Sequence, residues 1–451
     1  MKELPVRERG TAYAVGLAAV LALTGGVVAS DSLNRGAGGP SAACRGVHWV
    51  AGWVAAPSDA ARPDGSGGAD AKPVLDAQTV RMVVHPSIGG SRVRIRLSHR
   101  FGRAPARVGH ATIAVRRQGA TVAPGSVRSL AFQGRRGVTL EPGEDAVSDP
   151  ARLRFRAGQD LLVSLHVPGV VARPTEHSLT NQTNYLSRRG AGDHASDVSG
   201  AGFPIRVGTD GSGGWYFLSG VDVLAPRRTG AVVAFGDSIT DGFQPALVDG
   251  PSGPQNRNVR YPDFLATRTR SRGSAERVSV LNSGISGNRV LSDASPPRPY
   301  GVAALDRFRA DALWLPGVRD VIILQGINDL RTDPSLPPKQ LTDALWFLVR
   351  QAQLGGVRVH LGTLAPQDGA REGTPRVAEA TERRRQVVNR WIRTSGVADS
   401  VVDFDRALRD PARPSRLRPA FDSGDHLHPN SAGYRAMANA VPLERLNTGC
   451  R

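Results

Sequence analysis

The chain has 451 residues, 40% of them apolar, with 52 glycines and 32 prolines, which fits a globular protein rich in turns and long enough for two cores. Its formal charge of +18 is almost all arginine, with lysine only at Lys2, Lys72 and Lys339. The arginines are scattered and form no basic block interleaved with aromatics, which argues against a nucleic-acid partner.

Lys2, Arg7 and Arg9 precede an apolar run from about Thr11 to Ala29, and Val28-Ala29-Ser30 offers small residues for cleavage. Residues 1–30 therefore read as an export signal, and the protein is expected outside the cell. The run approaches spanning length, but alanine, glycine and threonine make it only mildly apolar, so cleavage is expected over a retained anchor. No other segment is apolar enough to cross a membrane. Residues 31–46 read as a linker, and 61–71 as a surface loop. Cys44 and Cys450 are the only cysteines; in an exported chain they can form one disulfide joining the two ends, or stay as thiols.

Residues 47–226 have a β pattern. Val80–Pro86 and Arg92–Ser98 flank Ser87-Ile-Gly-Gly90, and the second alternates arginine with Val93, Ile95 and Leu97, the period of a half-buried strand. Further strands are expected at Ala111–Val115, Leu153–Phe155, Leu161–Val167 and Trp215–Val223. Short strands separated by glycine or proline turns predict an antiparallel β-sandwich. His85, His99, His110 and His166 are dispersed and read as structural or surface groups.

At Pro226-Arg-Arg-Thr-Gly230 the period changes, and residues 227–451 form the second expected domain. Five apolar strands, Ala231–Phe235, Val278–Leu281, Asp320–Leu324, Val357–Leu361 and Val401–Phe404, alternate with helical stretches. Leu341, Leu345, Leu348 and Ala352 share one helix face; Thr381–Thr394 and Ser431–Leu446 are further helices. This alternation predicts an α/β domain, a flavodoxin-like three-layer α/β/α arrangement with about five parallel strands.

The first of those strands runs into Gly236-Asp-Ser238, the second into Asn282-Ser-Gly-Ile-Ser-Gly-Asn288, and the third into Gln325-Gly-Ile-Asn-Asp329. Asp425-His-Leu-His-Pro-Asn430 lies near the end. Ligands of open α/β sheets bind at the carboxyl ends of the strands, so these loops can converge. Ester hydrolysis needs an activated hydroxyl, a base, a group that orients the base, and donors for the oxyanion. Ser238, His428 and Asp425 can fill the first three roles. The backbone N–H groups of Ser238 and Gly287 and the amide of Asn328 can be the donors. Singly, each has a plainer reading: Ser238 and Asn328 as helix caps, Gly287 as a turn glycine, His426-Leu-His428 as half a metal site that nothing else completes. Four suitable pieces at four loop positions of one domain favour the chemical reading.

These segments resemble the four blocks of the SGNH (GDSL) hydrolases: Gly236-Asp-Ser-Ile239, Gly287 after Ile-Ser, Gly326-Ile-Asn-Asp329, and Asp425-His-Leu-His428. The resemblance implies Ser238 as nucleophile, His428 as base, Asp425 as its orienter, and Ser238, Gly287 and Asn328 as the oxyanion hole, with no cofactor or metal. His426 stands where glycine or another small residue is common. Through Ser87-Ile-Gly-Gly90 and Arg96–Gly102 the first half is also similar to the β domain of two-domain secreted actinobacterial members, arylesterases and acylhydrolases associated with xylan. The expectation is a secreted, monomeric serine esterase, unanchored after signal cleavage, acting on short to medium acyl groups, with polysaccharide esters included. The segment Phe243–Tyr261, rich in proline, glycine and asparagine, makes no apolar lid. The alternatives are a lipase for longer chains and, in another class, a carbohydrate- or wall-binding protein.

Overall fold

The computed structural model describes residues 45–59, 74–208, 214–244, 254–271, 278–293, 301–370 and 375–446. The expected signal, all but the end of the linker, the 61–71 loop, the middle of the Phe243–Tyr261 segment and both cysteines lie outside these residues.

Among the described residues no helix precedes Ser238. One sheet orders Val47–Val54, Leu218–Pro226, Gly90–Ser98 and Ala151–Phe155, with Asp145–Val147 also paired to Gly90–Ser98. In a second, seven-stranded sheet Val74–Val84 lies between Asn184–Leu186 and Leu161–Ala172, with His110–Gln118 beyond. These pairs are antiparallel. In Gly90–Ser98 the alternation is physical: Val93, Ile95 and Leu97 are fully buried, while Arg94 and Arg96 reach the buried Asp222 of the next strand at 3.0 and 3.1 Å. The continuous strand expected over Trp215–Val223 is two pieces. Phe217 adopts a φ of 60°, so Trp215-Tyr216 turns away to pair with Glu176-His177 while Leu218–Pro226 joins the first sheet.

Pairing becomes parallel after Gly230. Five strands, β1 (Gly230–Gly236), β2 (Val278–Gly284), β3 (Val318–Leu324), β4 (Arg358–Gly362) and β5 (Ser400–Val402), lie in the order β2-β1-β3-β4-β5. Every residue of β1 is buried, as expected of a central strand covered on both faces. The helix Pro338–Leu354 buries Leu341, Leu345, Leu348 and Ala352 on one face. The final helix stops at Ala440, short of the expected Leu446, because Pro442 follows. The charged helix begins earlier than expected, at Pro375.

Register puts Gly236 level with Gly284 on one side and Leu324 on the other, so the loops after β1, β2 and β3 leave the sheet side by side. Since β2 and β3 flank β1, those loops diverge over a switch point, where a ligand crevice forms. Arg307, fully buried, ties the strand ends together: it donates to Gly236 O at 2.9 Å and Ser283 O at 3.0 Å. The two halves share one apolar core, with Val50 and Val223 in the same cluster as Phe235 and Leu281. Polar bonds also cross the junction, among them Ser279 Oγ to Ala51 O at 2.6 Å and Val280 N to Ser87 Oγ at 2.9 Å.

Candidate active site

Asp237 and Ser238 follow β1 directly. Asp237 caps the one-turn helix Ser238–Asp241 by accepting from Ile239 N at 3.0 Å, which turns the chain sharply enough to present Ser238 at the strand end. Asp237 is wholly buried; burial, with the charge of Asp329 in the same sense, outweighs the Ile239 N–H and Arg307 and pushes its carboxyl up to about 7.

The loop before the last helix brings the other two residues across. Ser238 Oγ lies 2.9 Å from His428 Nε2, and His428 Nδ1 lies 2.6 Å from Asp425 Oδ2. The second oxygen of Asp425 accepts from the N–H groups of His428 and Leu427 at 2.8 and 3.0 Å. Burial opposes the Asp425 charge, but the His428 contact and these N–H groups outweigh it and hold the carboxyl well below the usual carboxylate range. Asp425 therefore stays ionised and fixes the tautomer in which Nδ1 carries the proton and Nε2 can take one from serine. Phe243 packs edge-on to the imidazole, with ring centroids 4.7 Å apart, and Tyr434 Oη holds the Phe243 carbonyl at 2.7 Å. His426 points away, paired to Asp422. Its φ of 64° explains why a small residue suits the position, since the left-handed region is open to glycine without strain.

The donor side comes from the loops after β2 and β3. Gly287 has a φ of 77°, in the left-handed region that favours glycine, and its N–H meets no acceptor among the described residues. Asn328 is the second residue of the helix Ile327–Thr332 and does not cap it: Gly326 holds the cap position, and the Asn328 amide donates to Asn288 O at 3.0 Å, leaving its second proton. Asn288 anchors the loop, accepting from Arg307 and Gln325 at 2.9 Å each and donating to Val302 O. Asp329 ties it further through Val290 N and Leu291 N; burial pushes this carboxyl up against those bonds. Ser238, His428 and Asp425 thus form one bonded chain, with Gly287 and Asn328 on adjacent loops. Asn288, Arg307, Gln325 and Phe243, which hold them, carried no signal of their own, although Asn288 and Gln325 stand within the motif segments. Among the described residues no group of three or more His, Cys, Asp or Glu side chains is placed to hold a metal ion.

Residues 234–436 match the family model described as the GDSL-like Lipase/Acylhydrolase family. No curated protein matches the chain significantly. Solved structures similar to it include the native aryl esterase of M. smegmatis, at 19% identity over 47% of this chain and 95% of that one, with a TM-score of 0.34. A GDSL-like lipase from Bacteroides thetaiotaomicron is 21% identical over 46% of this chain and 84% of its own, with a TM-score of 0.33. A carbohydrate acetylesterase from Sinorhizobium meliloti is 17% identical over 47% and 95%, also with a TM-score of 0.33.

Proposed function

We propose, from the membership of residues 234–436 in the GDSL-like lipase/acylhydrolase family, which makes the chain a carboxylic ester hydrolase, that Ser238, His428 and Asp425 cleave esters through an acyl-enzyme. The observation that carries this reading is the continuous bond chain from Ser238 Oγ through His428 to Asp425. Ser238 Oγ attacks the ester carbonyl while His428 Nε2 takes its proton, and Asp425 accepts from Nδ1 throughout. The oxyanion receives the N–H groups of Ser238 and Gly287 and the free amide proton of Asn328, each donor contributing about 3 kcal/mol to the transition state. His428 then protonates the leaving alkoxide, and a water repeats the sequence to free the acid.

The reading extends to a protein secreted after loss of residues 1–30 and acting as a monomer, with a β-sandwich over 47–226 and a flavodoxin-like domain over 227–451. The change from antiparallel to parallel pairing between Pro226 and Gly230 supports that division. Short to medium acyl groups, including those on polysaccharide, are the substrate class; the Pro-, Gly- and Asn-rich composition of Phe243–Tyr261 supports it. The test is p-nitrophenol release from acetyl, butyryl and palmitoyl esters by the mature protein, with Ser238→Ala alongside. Activity highest on acetyl or butyryl esters and abolished by Ser238→Ala is expected. A preference for palmitoyl would make it a lipase, and a fully active Ser238→Ala would end the mechanism.

A further inference from the structure

The helix Ser238–Asp241 ends in a buried carboxylate that the triad does not use. Asp241 Oδ2 accepts from both the backbone N–H of Ser286, at 3.0 Å, and its hydroxyl, at 2.9 Å. Ser286 immediately precedes Gly287. The other oxygen, Oδ1, faces His177 Nε2 at 3.0 Å, and His177 belongs to the β half, 64 residues earlier. The opposite ring nitrogen, Nδ1, faces Ala56 O at 2.9 Å. A carbonyl and a carboxylate are both acceptors, and the His177 ring bridges them, one nitrogen facing each. Both His177 and Asp241 are buried, where a polar group that finds no partner is costly, so the bond between them is kept. The ring lies against Trp215, 5.6 Å between centroids, and Trp215 is itself fixed by a bond to Val83 O and an edge contact with Trp53. Arg260 Nη1 lies 3.9 Å from Asp241 Oδ1, and the charge of Arg307 also acts on this carboxylate. Four residues on from His177, Asn181 Nδ2 donates to Gly242 O at 2.9 Å, so the same β segment grips the chain just past Asp241.

We infer that His177 is a positioning residue for ester hydrolysis: through Asp241 it holds Ser286 and so sets the Gly287 N–H toward the oxyanion. The inference rests on the proposed role of Gly287 and gives the β half a part in the site itself. Asn288 secures the far end of the Ser286–Asn288 turn from the α/β half alone, whereas the near end depends on a carboxylate that His177 reaches from the β half. A donor that acts on the oxyanion is used in the transition state and not in substrate binding, so its displacement lowers kcat and leaves KM alone.

The test compares wild type, His177→Ala, His177→Gln, Ser286→Ala, the double variant His177→Ala/Ser286→Ala, and Ser238→Ala as full mature chains, on p-nitrophenyl acetate, at a temperature where circular dichroism shows each folded. His177→Ala is expected to lower kcat about 10- to 100-fold with KM within about twofold. His177→Gln, whose amide can still donate to Asp241, recovers most of that loss. Ser286→Ala lowers kcat severalfold, and the double variant loses less than the product of the single effects, because both act on one contact. If His177→Ala does not fold, Ser286→Ala and His177→Gln decide. Wild-type kcat in either His177→Ala or Ser286→Ala, a change confined to KM, or no recovery with glutamine overturns the inference while leaving the serine mechanism intact. Undiminished activity in Ser238→Ala overturns the mechanism, and the inference with it.

Discussion

Replacing Asp237 with asparagine should stabilise the protein at neutral and alkaline pH and leave it nearly unchanged in acid. Burial raises the Asp237 carboxyl from its ordinary 3.8 to about 7. An unfolded chain releases that proton near the ordinary value, whereas the folded protein keeps it until about 7. Between those limits the unfolded state binds fewer protons, so stability falls as pH rises. The contribution of the neutral carboxyl is complete below the ordinary value and lost once pH passes the raised one. A gap of about three in pKa corresponds to about 4 kcal/mol. Asparagine cannot ionise, caps helices as well as aspartate, and its Oδ1 can keep the 3.0 Å bond from Ile239 N, so it imitates the protonated acid. Urea unfolding of both proteins at several values between pH 4 and pH 9 measures the effect. The advantage of Asp237→Asn should grow from near zero in acid to roughly 2–4 kcal/mol above pH 7. Subtracting wild type removes the opposing acid sensitivity of carboxyls held low, such as Asp425 and Asp403. A difference that stays flat with pH, or a variant less stable than wild type at pH 8, would refute the claim that Asp237 is held neutral by burial.

Two further outcomes follow from the same geometry. Under the proposed mechanism Asn328→Ala removes one oxyanion donor and should lower kcat about 10²- to 10³-fold with little change in KM; steady-state kinetics with a soluble ester decide, and a loss confined to KM would remove Asn328 from the oxyanion hole. Gly284→Ala should cost about 1–3 kcal/mol in thermal or urea unfolding and about 10²-fold in kcat. A Cβ there would sit 2.3 Å from Asp241 N and 2.7 Å from its Cα, backbone atoms that cannot rotate away, so the helix bearing Ser238 must shift off the end of β2. Wild-type stability together with wild-type kcat would show that this approach is not what sets the serine.

The placing of Ser238, His428 and Asp425 in one bonded chain, with Gly287 and Asn328 on adjacent loops, was legible because each sits in a short segment with a recognisable pattern. An apolar strand must precede Ser238, a glycine must turn the chain at Gly287, and Asp425 must stand three residues before His428 to reach its ring. The parallel strands were legible for the same reason, since β1 is buried on both faces and its composition says so. His177 was not legible. It lies in a two-residue strand, 64 positions from Asp241, and that strand pairs with Trp215-Tyr216, which the turn at Phe217 separates from the strand expected to continue. The last helix ends at Ala440 and not at the expected Leu446 because Pro442 cannot continue the ladder.

The charge of the chain gains a different meaning once its arginines are placed. Arg81, Arg307 and Arg385 are among the largest fully buried side chains of the protein. Arg307 clamps two strand ends beneath Ser238, and burial lowers it to about 10. Arg81 donates to Ser164, Ala120 and Asp197 inside the β half, with its guanidinium 3.9 Å from the Phe203 ring. Arg385 joins Leu364 O to the buried carboxylate of Asp405. Each position uses several donors of a planar fork at once, which a lysine ammonium could not replace. A formal charge of +18 therefore counts cations that never meet solvent, and the abundance of arginine here is in part an interior feature. His177 makes a comparable link, because a buried polar ring that faces acceptors from two chain segments fixes their separation more firmly than apolar packing alone.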